Sequence, residues 1–258
     1  MGNGSEGMSS FSINSMAMRK AAAMQAKKDA ITTVAPEKKE IEWIAPEDAK
    51  ERIVIVFDDS YSMDASLSDR SDYATDTPGN SRCVAAKEGC VEFLRNCIPN
   101  QTAVAIQLLN VGNNSLVDYA TLTPFTTNLP AKSVAVATIK TNGGTPLYTA
   151  VKDAVNKTPT PTRIVAFSDG DATDKVYAES AIALCKERSI PVDTFFLGEE
   201  GYGGFLAMRE LAEKTGGIFI HYIPGKTSIK QVFKCLAPVN RLALMSGDTK
   251  SKLERGEL

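Results

Sequence analysis

The sequence is poor in the residues that most enzymes and extracellular scaffolds depend on. It has a single histidine, His221, in 258 residues, and no Cys–His pairing is suggested. The cysteines are Cys83, Cys90, Cys97, Cys185 and Cys235, an odd number with no C-x-x-C pair. That pattern argues against a disulfide framework and against a zinc site. Cys83, Cys90 and Cys97 recur every seven residues in a helical pattern, which puts Cys83 and Cys97 roughly 21 Å apart, too far to bridge. Reduced core cysteines and a cytoplasmic setting are the expectation. No apolar run approaches the ~18 residues of a membrane span, and the N-terminus lacks the apolar core of a signal peptide. A net charge of −2 gives no argument for nucleic acid or an anionic membrane as partner. The G-x-S-x-G elbow and the Walker loop are absent, and no internal repeat is visible.

What is present falls into three parts. Residues 1–50 read as a flexible extension: Met1–Ser12 is rich in Gly and Ser, and Met16–Ile31 is helix-prone without a wide apolar stripe. That stretch is either a docking helix or a segment that stays loose. Trp43 is expected to pack on the domain that follows. Residues 51–240 form the domain, and 241–258 a polar tail.

The domain is organised around Arg52–Met63, RIVIVFDDSYSM. Ile53 to Phe57 is a continuous apolar run, the signature of a strand buried on both faces of a parallel sheet. Further strands are expected at Thr102–Leu109, Arg163–Ser168, Ile190–Leu197 and Gly217–Tyr222. A hairpin at Gly112–Asn114 makes Leu116–Leu122 an antiparallel edge strand. Helices are expected at Ser81–Ile98, Ala131–Ile139, Leu147–Val155, Lys175–Arg188 (with Tyr177, Ala181, Leu184 and Cys185 inward), Gly203–Lys214, and around Ile229–Leu236. Alternating strands and helices of these lengths imply an α/β domain of three layers with a mostly parallel sheet.

Three separated segments share one design, with oxygen side chains just after a strand or in a loop that opens a helix. They hold Asp58, Ser60 and Ser62, then Thr145, then Asp169. Two carboxylates and three hydroxyls, with no histidine or thiolate, suit a hard divalent cation such as Mg²⁺, Mn²⁺ or Ca²⁺. Hydroxyls donate lone pairs without adding charge, so such an ion keeps appetite for an anionic ligand. Each segment also has a plainer reading. Thr145 before Pro146 is a good helix N-cap, Asp169-Gly170 is a common turn, and Ser62 could cap.

D-x-S-x-S after an apolar strand, G-G-T-P-L-x-x-A in a loop and helix, and a strand ending S-D-G together resemble the metal-ion-dependent adhesion site of von Willebrand factor type A (VWA) domains. The resemblance runs from about Arg52 to Leu236. It implies a doubly wound sheet of about six strands. It implies direct metal ligation by Ser60 and Ser62, ligation by Thr145 directly or through water, and a largely water-mediated role for Asp58 and Asp169. It further implies a protein partner with an exposed Asp or Glu. In intracellular bacterial and phage members it points to an adaptor or co-chaperone role beside a MoxR-type AAA+ ATPase. Tyr61, where a small residue is usual, and the extra acid Asp59 depart from the pattern. The runner-up is a structural or assembly component in which the ion only stabilises the fold.

Asp64, Asp69, Asp72 and Asp76 occupy the loop 64–80 and read as a solvated acidic loop or a second cation site. Gly198–Gly204, with Glu199 and Glu200, is expected to form a rim. The run IVFDD also resembles the start of a phosphorelay receiver, but Thr102–Leu109 and Leu116–Leu122 end without an acceptor Asp. His221 lies in the last expected strand and reads as structural. With no base or nucleophile identified, catalysis is not expected.

Overall fold

Val, Ile and Phe side chains in unbroken succession cannot present a polar face, so the segments that carry them form the middle of the sheet. In the computed structural model, which describes residues 43–67, 81–98, 101–110, 124–201, 203–223, 228 and 232–233, β1 (Glu51–Phe57) is fully buried from Ile53 onward. The elements that follow are α1 (Arg82–Asn96), β2 (Thr102–Leu108), α2 (Leu129–Ala137), α3 (Leu147–Val155), β3 (Arg163–Ser168), α4 (Ala178–Glu187), β4 (Val192–Phe196), α5 (Gly203–Thr215) and β5 (Phe219–His221). The chain divides into two compact units, Met1–Glu42 and Trp43–Leu258. The first lies outside the described residues, as does the tail.

The sheet order is β2-β1-β3-β4-β5 and every pair is parallel. Alternate residues of each strand serve opposite layers. Ile53, Ile55 and Phe57 pack with α1, α2 and Phe233, whereas Val54 and Val56 pack with α3, α4 and α5. Helices therefore cover both faces, the doubly wound arrangement expected. The chain turns one way from β1 to β2 and the other way from β3 onward, so the switch point lies between β1 and β3. Side chains at the carboxyl ends of these two strands meet there.

The expected edge strand at 116–122 lies outside the described residues. At the outer edge of β2, Thr126 makes an antiparallel bridge with Val104. Of the expected last helix, only Val232 and Phe233 are described. Both are helical and buried, and Phe233 stacks on Phe167 with centroids 5.2 Å apart. Residues 43–50 lie against the sheet unit: Ile44 packs on the core and its carbonyl accepts from Thr127 Oγ1 at 3.0 Å. Trp43 is half-buried. One inward expectation fails. Tyr177 ends a short 3₁₀ turn, Lys175–Tyr177, that precedes α4, and its ring is exposed beneath the Lys152 ammonium.

Candidate metal centre

Asp58 leaves β1 at the switch point with no exposure at all. A buried carboxylate must be satisfied by donors. Its Oδ1 accepts from the Ser60 amide at 2.8 Å, and its Oδ2 takes a short hydrogen bond from Ser168 Oγ at the end of β3. Ser60 is extended and is the N-cap of a 3₁₀ turn, Tyr61–Asp64, that swings Ser62 back toward it. Ser60 Oγ lies 3.0 Å from Ser62 Oγ, and Ser62 Oγ donates to Asp169 Oδ1 at 2.9 Å. Asp169 follows β3 directly and is itself buried.

Thr145 closes the group. A Cβ placed on Gly170 would fall 2.8 Å from Thr145 Cγ2 and 3.4 Å from Asp58 Oδ2, so Thr145 stands beside Asp58 across that glycine. The structure thus brings Asp58, Ser60, Ser62, Thr145 and Asp169 together. Burial first, and the charge of Asp169 second, push the Asp58 carboxyl up from its ordinary range to about 7. Two carboxylates are held close in a water-poor site.

The plainer reading of Thr145 does not hold. Pro146 is the N-cap of α3 and makes no side-chain cap bond. The first amides of the helix are taken instead by Asp174, whose oxygens accept from Tyr148 N at 3.2 Å and Thr149 N at 2.7 Å. Among the described residues the Thr145 hydroxyl makes no hydrogen bond.

Arg82, Ser168, Asn110 and Asp174 were not singled out from sequence. Arg82 opens α1 almost fully buried, and its Nη1 pairs with Asp169 Oδ2 at 2.5 Å. The available signals were faint: a cation opening a helix whose inner face is Cys and Ala, an Asn just past an apolar strand, and the serine of the S-D-G run itself. Asp64 accepts from Thr141 Oγ1; Asp69, Asp72 and Asp76 lie outside the described residues. His221 is buried in β5, its Nε2 2.7 Å from the Gly198 carbonyl.

No protein-family model and no curated protein matches the sequence. Solved structures do match in fold. The chain superposes on a von Willebrand factor type A protein from Catenulispora acidiphila with a TM-score of 0.55 at 18% identity, covering 73% of this chain and 42% of that one. The von Willebrand factor domain of the type V pili tip protein Mfa5 from Porphyromonas gingivalis matches with a TM-score of 0.52 at 13% identity, over 76% of this chain and 97% of that one. Proximal thread matrix protein 1 from the mussel byssus, solved with a zinc-occupied metal-ion-dependent adhesion motif, matches with a TM-score of 0.53 at 15% identity, over 78% of this chain and 48% of that one. Identities this low speak for architecture alone. A parallel α/β sheet wound in both directions, with its polar cluster at the switch point, gives this chain the fold of the von Willebrand factor type A domains.

Proposed function

We propose that this chain is a divalent-cation-dependent protein-binding module, in which Asp58, Ser60, Ser62, Thr145 and Asp169 hold the ion and the ion captures an acidic side chain of a partner. The observation that supports this most is the convergence of the five at the switch point, with the Thr145 hydroxyl uncommitted. The donor chemistry fits. Every candidate ligand is an oxygen, which suits Mg²⁺, Mn²⁺ or Ca²⁺. Ser62 donates its hydrogen bond to Asp169 and so accepts from Ser60, which leaves one of its lone pairs for a cation. Asp58 and Asp169 repel one another, and a dication between them would relieve that repulsion. Among the described residues, no three His, Cys, Asp or Glu side chains converge on a metal-sized site, so neutral hydroxyls supply much of this one. The bound ion would supply strong attraction for one further carboxylate.

Around that anchor the chain offers apolar contact. Tyr61, Val176 and Leu206 are exposed and follow the carboxyl ends of β1, β3 and β4, the edge that carries the cluster. Exposed apolar side chains beside a charged anchor suit a protein partner. Binding without catalysis is part of the proposal: His221 is engaged with a carbonyl rather than facing the cluster. A MoxR-type AAA+ ATPase is the partner class named by the resemblance in the sequence. A cytoplasmic setting belongs to the same proposal, and the buried free thiols Cys83, Cys90, Cys97 and Cys185 suit it. No helix among the described residues is long and apolar enough to cross a membrane.

The test is affinity capture from the native cell in Mg²⁺ or in EDTA, read by mass spectrometry, with Thr145→Val alongside. The expected result is a partner captured in Mg²⁺ and lost both in EDTA and with Thr145→Val. Capture that survives both would overturn the reading. If Thr145→Val changes only Mg²⁺-dependent stability and leaves capture intact, the ion is structural.

A further inference from the structure

Asp59 and Tyr61 stand between the candidate ligands in sequence but engage different partners, Asn110 and the 142–144 run. Asp59 is completely buried. Its Oδ1 accepts from the Asn110 amide at 3.0 Å and from Asn110 Nδ2 at 3.2 Å. The same Nδ2 donates to the Gly144 carbonyl at 2.7 Å. An amide nitrogen has two hydrogens, and here one serves each acceptor. The Asp59 carbonyl accepts from the Asn142 amide. Tyr61 N donates to the Gly143 carbonyl at 3.2 Å, and its phenol donates to Asn142 Oδ1 at 3.3 Å. Every residue of the run 142–144 is thereby fastened to 59–61 or to Asn110, and Thr145 is next in the chain.

We propose that Asp59 and Asn110 are positioning residues that set the height of the Asn142–Gly144 loop and so place Thr145 beside Asp58. The assignment rests on the function proposed above and extends it. It accounts for the second acid: Asp59 braces the third segment of the site and is not a ligand. It also accounts for Gly143. That residue has φ of +69°, and the Asn110 carboxamide stands where its Cβ would project. A side chain there would have to push Asn110 off Asp59 and Gly144. The brace joins the ends of β1 and β2 to the loop before α3, so the two x positions of D-x-S-x-S serve the loop as its Asp and Ser positions serve the cation.

The test is Mn²⁺ affinity by titration calorimetry together with amide exchange at Gly144 and Thr145, on the full chain. Asn110→Ala, and the milder Asn110→Ser, should weaken Mn²⁺ binding by about tenfold or more, in the range seen when groups that orient metal ligands are removed. The same variants should speed exchange at Gly144 and Thr145. Asp59→Asn keeps the Oδ1 acceptor and should stay within about threefold of wild type, the behaviour of a brace. A merely structural Asn110 would lower stability and leave affinity for Mn²⁺ unchanged. Wild-type affinity or unchanged loop exchange in both Asn110 variants overturns the assignment while leaving the function proposed above intact. A wild-type chain that binds no Mn²⁺ overturns both.

Discussion

Arg82 sets the electrostatic tone of the centre. Its guanidinium is nearly inaccessible and lies against Asp169 Oδ2, with the Ser62 carbonyl 3.5 Å from the same nitrogen. In the chain without an ion this cation offsets one of two buried carboxylates that would otherwise repel unopposed. For an arriving dication it is a rival for Asp169 and a nearby like charge. Repulsion between charges several ångströms apart costs a few kcal/mol at an effective dielectric constant of about 20. Arg82→Met should therefore act in opposite directions on two quantities. Stability without metal should fall by about 3–5 kcal/mol, the cost of stranding a buried carboxylate. Mn²⁺ affinity of the folded chain should rise by about tenfold or more. Urea denaturation in EDTA reads the first and calorimetry the second. Affinity that is unchanged or lower would mean that Arg82 helps to build the metal-binding geometry.

At the scale of elements, the two ends of the sheet do different work. The amino ends of the strands hold Arg163, on β3, against Asp193, on β4, at 3.0 Å, both almost completely buried, with Asp193 also accepting from the Ile218 amide at 2.9 Å. The Phe93 ring of α1 lies 5.7 Å from the guanidinium carbon. Asp193→Ala removes the nearer of two carboxylates from that charge, leaving Glu51 at 3.8 Å, and frees a buried amide, so it should cost about 3 kcal/mol. The urea midpoint should fall with little change in slope, and Mn²⁺ affinity should hold because the centre is at the far end of the strands. A coupled loss of affinity would show that the two ends communicate. This division also shows what a sequence discloses. β1 is legible because both of its faces are apolar and no other element accepts such a run. The Asp58, Ser60 and Ser62 group is legible because local spacing sets it. Arg82 and Asn110 are not, since they meet Asp169 and Asp59 across 87 and 51 residues, and only the winding of the sheet puts them there. Tyr177 and Asp174 were missed for a related reason. The helical period extrapolates back through Lys175, but Asp174 turns away to cap α3, and the segment after it starts as a 3₁₀ turn.

For the whole molecule, the position of the centre decides what an ion would do to stability. Asp58 closes β1, Asp169 closes β3, and Thr145 leads into α3, so one site ties together the middle of the sheet and a covering helix. Both layers of core meet on β1 and β3, through Ile55 and Phe167 on one side and Val56 and Ala166 on the other. An ion there binds the folded sheet and not the unfolded chain, so its binding free energy should add to global stability. At a free concentration of about 100 times the dissociation constant, that addition is about 2.7 kcal/mol. Spread over a domain of this size, it corresponds to a rise in Tm of about 5–10 °C. Scanning calorimetry in Mg²⁺ against EDTA should show that rise in the wild type. Thr145→Val should melt close to wild type in EDTA, because its hydroxyl holds no other partner among the described residues, and should lose most of the rise in Mg²⁺. A wild-type Tm indifferent to Mg²⁺ and Mn²⁺ would leave Arg82 as the only cation the centre accepts.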